Sequence, residues 1–128
     1  MAKYNYDLEE RTATFGENII ELCRGIKENA ITHRMISQIA AAGTSIGANY
    51  REANGASSSK DFRNKITICK KEANETKFWL RILLKYDVNL KNTIDPLLQE
   101  SHEFTLIFQK IIFTLDNKKD KNQMIENL

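Results

Sequence analysis

A single proline, Pro96, and only five glycines punctuate the 128 residues. A many-stranded protein needs a turn about every ten residues, so this scarcity argues against an all-β fold. No run of 18 or more apolar residues occurs, which excludes a hydropathic membrane-spanning segment. The stretch from Met1 to Asp7 lacks the apolar core of a signal peptide, and a cytoplasmic protein with no membrane partner is expected. The two cysteines, Cys23 and Cys69, stand far apart in apolar-periodic segments. They form neither a disulfide framework nor a paired zinc motif, and they read as reduced core residues.

The groups that carry chemistry are equally sparse. The only histidines, His33 and His102, have no histidine at i+4, and no Glu-x-x-His pair of the di-iron bundle type occurs. Glu72 and Glu75 are the one carboxylate pair on an apolar-stripe boundary, and the expected role for either is an ion pair to a basic residue of a neighbouring helix. No phosphate-binding glycine loop follows a strand. Cys23 and Cys69 fall on core stripes without an activating histidine. No catalytic, metal-binding or cofactor-binding residue is therefore assigned, and an enzyme is not expected.

What is present is helical periodicity. From Asp7, a candidate N-cap, to about Lys27, Leu8, Phe15, Ile19, Leu22, Cys23 and Ile26 recur mostly at steps of three and four. A second helix starts near Thr32, another candidate cap, and carries Ile36, Ile39, Gly43, Ile46, Tyr50 and Ala53. Its middle, from Ala40 to Ala48, is rich in small residues, which permit close helix approach. Two uses stand for them, packing within one bundle or a contact between subunits at Ala41 and Gly47. The serine loop after Asn54 precedes a third helix, Ser59 to Tyr86, with Phe62, Ile66, Cys69, Ala73, Thr76, Trp79, Leu80, Leu83 and Tyr86 inward. Asp95-Pro96 predicts the start of a fourth, since a proline at the first helical position forfeits no bond.

Short connections favour antiparallel neighbours in sequence order. The expected fold is all-α, an antiparallel up-down-up-down four-helix bundle over residues 1–116. Residues 117–128 are polar and non-periodic and are expected to form a flexible tail.

Charge is spread unevenly over a chain whose formal net charge is only +2. The third helix carries eight basic against three acidic side chains, whereas the first and fourth are net acidic. Lys60, Arg63, Lys70, Lys77, Arg81 and Lys85 follow steps of three and four and form a candidate ridge for phosphates. Against that reading, no aromatic residue interleaves the ridge for base stacking. The alternative is a solvated face balanced by the acidic helices.

Gln38-Ile39, Ser45-Ile46, Asn49 and Glu52, then Asp61-Phe62, Lys71-Glu72-Ala73-Asn74-Glu75-Thr76 and Trp79-Leu80, resemble the bacterial four-helix-bundle family of 23S rRNA intervening-sequence proteins. The resemblance implies a ring-shaped homo-oligomer, commonly a pentamer, with an association with RNA. A related bundle, the accessory protein of diversity-generating retroelements, binds a reverse transcriptase and nucleic acid. Two arginines frequent in the family after the Gln-Leu pair are Ala40 and Ala41 here, which leaves the third helix as the candidate surface for RNA or DNA. The other reading is a protein-interaction scaffold with no nucleic-acid ligand.

Overall fold

The computed structural model describes residues 2–127. They form α1 (Ala2–Arg24), α2 (Thr32–Asn54), α3 (Ser59–Tyr86), a 3-10 turn (Val88–Leu90) and α4 (Lys91–Glu126). Consecutive helices pack side by side and antiparallel, as the short connections predict. Leu8, Phe15, Ile19 and Leu22 of α1 meet Ile39, Ile46 and Tyr50 of α2, Ile66, Leu80 and Leu83 of α3, and Ile94, Phe104 and Phe108 of α4 in one core. Burying each such side chain contributes about 1.5–3 kcal/mol relative to leaving it in water. Phe62 and Trp79 are only half-buried and Tyr86 is exposed, so the inner stripe of α3 is narrower than its spacing suggests.

Helix starts differ from the sequence expectation for local reasons. Asp7 lies inside α1, which begins earlier, at Ala2. α1 ends at Arg24, where the amides of Gly25 and Ile26 bond three residues back to Leu22 and Cys23 and tighten the last turn. Thr32 is the first residue of α2 rather than its cap. Asn29 caps instead, its Oδ1 accepting from the amides of Ile31 and Thr32 at 2.9 Å each, while Thr32 Oγ1 accepts from the Asn29 amide. At α3 the serine loop behaves as predicted, with Ser58 Oγ accepting from the Asp61 amide at 3.0 Å.

α4 begins at Lys91, one turn ahead of Asp95, which places Pro96 inside the helix. Burial of Ile94 and the Lys91–Asp95 ion pair at 2.7 Å hold that extra turn despite the missing proline amide. At its other end α4 continues through the segment expected to be a flexible tail. No proline or glycine stops it, and Lys118, Lys119, Lys121 and Gln123 are good helix formers.

Two seams have distinct characters. α1 and α2 approach closely because Gly43 and Gly47 leave room: a Cβ on Gly43 would lie 2.8 Å from both γ-carbons of Ile19, and one on Gly47 would lie 3.2 Å from the Thr12 carbonyl oxygen. α1 and α4 stand farther apart. They join through Phe15 edge-on to Phe104 (5.4 Å between centroids) and through Arg11, which pairs with Glu100 at 2.9 Å and lies over the Phe104 ring.

Candidate nucleic-acid interface

The six basic residues singled out on α3 divide into two sets. Arg63, Lys70 and Lys77 are half-buried along the α3/α4 seam, and Lys60, Arg81 and Lys85 are exposed. The seam set meets α4 in a regular antiparallel register. Arg63 donates through Nε and Nη2 to both oxygens of Asp116 (2.7 and 3.0 Å), Lys70 donates to Gln109 Oε1, and Lys77 lies 3.1 Å from His102 Nδ1. Each step is seven residues up one helix and seven down the other, the spacing at which helical faces recur.

These partners fix the cations without cancelling most of their charge. Of the six, only Arg63 meets a carboxylate among the described residues, whereas Gln109 and His102 are amide and imidazole acceptors. The Arg63 hydrogen bonds hold the Asp116 carboxyl below its usual range, and the same pair raises the guanidinium further. The side of the bundle formed by α3 and α4 therefore presents Lys60, Lys70, Lys77, Arg81 and Lys85 with their charge available.

Residues that sequence reasoning set aside extend this surface. α4 outruns α3, because Asp116 lies level with Arg63 near the α3 start. The overhang and the beginning of α3 enclose an open cleft lined by Lys60, Arg63, Asn64, Lys118, Lys119 and Asn122, among others. Lys118 and Lys119 were hidden by the expectation of a flexible tail, and only the missing helix stop near residue 117 could have revealed them. The supposed absence of an aromatic is also corrected. Phe78 is 54% exposed on the outer face of α3, midway between Lys71 and Lys85 about two turns from each, and packs edge-on to Trp79 at 5.2 Å.

The groups weighed for catalysis are placed differently. Neither Glu72 nor Glu75 forms an ion pair among the described residues; the pair joining α2 to α3 is Lys65–Glu52 at 2.9 Å. Burial pushes the Glu72 carboxyl up, with the charge of Glu75 adding to the effect and that of Lys71 opposing it. Burial likewise pushes the Cys69 thiol up to about 12, and its Sγ contacts the Ile46 carbonyl oxygen. His33 pairs with Glu28 and His102 with Lys77, far apart on the surface. Among the described residues no group of three or more His, Cys, Asp and Glu could hold a metal, and no helix is long and apolar enough to cross a membrane. Ala41 is exposed on α2, and Gly47 is half-buried against α1.

The 23S rRNA-intervening sequence protein family matches residues 5–110, which is most of the chain. The chain belongs to that family. A solved structure from Bacteroides thetaiotaomicron, described as a protein of unknown function from the S23 ribosomal protein family, is 35% identical. It superposes with a TM-score of 0.73 over 81% of this chain and 96% of its own. No curated protein matches. Neither the family's description nor the neighbour's names an enzyme. The family match ends at residue 110, so the α4 overhang with Lys118 and Lys119 lies beyond it.

Proposed function

We propose that this family member is a non-catalytic, self-assembling bundle of the cytoplasm that binds RNA along the side formed by α3 and α4. The observation that carries the reading is the row of cations Lys60, Lys70, Lys77, Arg81 and Lys85, whose described partners leave the charge uncancelled. Charge of one sign along a rigid helix suits a phosphate backbone, and Lys118 and Lys119 lengthen the row at the cleft. Lys70 and Lys77 are held in place by α4, so less side-chain freedom is lost on binding. The contact is with phosphates, and it discriminates little between sequences or between RNA and DNA. Copies assemble into a closed ring, five by the family resemblance, which repeats the cationic side around the particle and raises avidity for one strand.

The test is fluorescence anisotropy of a labelled single-stranded RNA against the wild type and the Lys70→Gln/Lys77→Gln/Arg81→Gln variant. Each lost phosphate contact lowers the slope of log affinity against log salt by about 0.7, so the triple variant should lose roughly 2. An unchanged affinity and slope would contradict the assignment.

A second reading, a protein scaffold without nucleic acid, is favoured by one observation. Phe78 and Ile82 are exposed next to each other on α3, 54% and 38% respectively. Large exposed apolar side chains in one place mark protein contacts more often than solvated faces.

A further inference from the structure

Three features of the molecule are not accounted for by phosphate binding. The first is the patch made by Phe78, Ile82 and the half-buried Trp79 on α3, with Arg34 of α2 5.9 Å from the Trp79 ring. Lys71, Arg81 and Lys85 border it against the single acid Glu75, so its surroundings are net basic. The second is a groove between α1 and α2, floored by Ala13, Gly16, Thr44, Gly47 and Ala48, with Ile20 42% exposed at one end. Three acids, Glu9, Glu10 and Glu17, and one cation, Arg51, edge it, so its rim is net acidic. The third is the outward face of α2 between them: from Met35 to Tyr50 the helix carries no charged residue, although Ser37, Ala41, Thr44 and Ala48 are exposed.

An exposed helix face normally carries charge, and its depletion is a mark of a buried interface core. Aromatic side chains beside an arginine are the residues most often at the energetic centre of such contacts. A groove floored by small residues receives a ring, and opposite charges at the two rims align the partners.

We infer that the α1/α2 groove of one copy receives the Phe78–Ile82 patch of a second copy, with Lys71 and Lys85 facing Glu10 and Glu17. The inference rests on the self-assembly reading above and specifies the two surfaces that meet. The contact is heterologous, since the patch and the groove are different surfaces of the chain. They lie on different sides of a four-sided bundle, so each added copy turns relative to the last, and the closed ring of the self-assembly reading requires those turns to add to a full circle. Ala41 on the uncharged face is then covered; of the cations on the α3/α4 side only Arg81 and Lys85 border the contact, and Lys60, Lys70 and Lys77 stay outside it.

Light scattering of four samples decides it: the wild type, Phe78→Glu, the Ala13→Lys/Glu17→Lys variant, and an equimolar mixture of the two variants. All replaced side chains are exposed, and circular dichroism checks the fold; Ile82→Glu is the substitute patch variant if Phe78→Glu loses helix. The wild type should be a multimer, each variant a monomer, and the mixture a dimer of twice the 14.8 kDa chain mass, because one intact groove still meets one intact patch. A monomeric wild type overturns both self-assembly and this pairing. A multimeric wild type whose variants remain multimeric overturns the pairing alone. Monomeric variants that do not combine on mixing overturn its head-to-tail character.

Discussion

Gly43 and Gly16 face the same helix pair and should respond to a methyl group with opposite signs. A Cβ at Gly43 meets the branched, stiff Ile19 at 2.8 Å, whereas one at Gly16 meets Thr44 no closer than 3.6 Å. Denaturant titration should find Gly43→Ala destabilised by about 1–3 kcal/mol from overpacking, partly offset by helix propensity, and Gly16→Ala stabilised by up to about 1 kcal/mol. Glu72 gives a pH-dependent prediction. Its carboxyl is raised in the folded state by burial, so the folded protein holds the proton longer than the unfolded chain. Stability then falls as pH rises from the ordinary glutamate range through the raised value. Thermal melts should show Glu72→Gln more stable than wild type at pH 7, with the difference gone below the ordinary glutamate range. Cys69, buried with its thiol near 12, should resist alkylation in the native protein and react on unfolding. Its core position was legible from the apolar stripe, but the fate of Glu72 was not, because spacing shows neither how deep a boundary carboxylate sits nor which cation reaches it.

At the scale of elements, the order of four helices and most of their buried faces could be read from periodicity, whereas their ends could not. Asn29 supplies the α2 cap from three residues upstream through a turn that no simple cap rule locates. Ile94 draws the start of α4 ahead of Pro96 because its burial outweighs a single missing hydrogen bond. Replacing Pro96 by alanine restores that bond and should raise stability by about 1 kcal/mol or more, measured by the shift in urea midpoint. The overhang of α4 is not legible from periodicity, because a polar segment without an apolar stripe can extend a helix as readily as it can form a tail. Its residues from Asn117 onward are exposed and contribute little to the core. Removing residues 117–128 should therefore leave the urea midpoint almost unchanged while lowering RNA affinity through loss of Lys118, Lys119 and Lys121.

For the whole molecule, the uneven charge visible in the sequence becomes a division of labour between sides. α3 and α4 together present cations whose partners are mostly neutral, and α1 supplies acids at the edge of a groove. The ridge itself was legible from steps of three and four along α3. Its register against α4 was not, since the pairing of Arg63, Lys70 and Lys77 with Asp116, Gln109 and His102 depends on how two distant helices slide past each other. The same holds for Phe78, whose exposure is decided by the width of the core stripe. A self-assembling bundle with one cationic side should form a particle of several copies that takes up RNA through electrostatics. Mass in solution, measured by light scattering with and without a short single-stranded RNA at low and high salt, tests this most directly. The expected result is a multiple of the chain mass without RNA, a heavier particle with RNA at low salt, and loss of that increment at high salt. A species of one chain whose mass RNA does not change at either salt would contradict it.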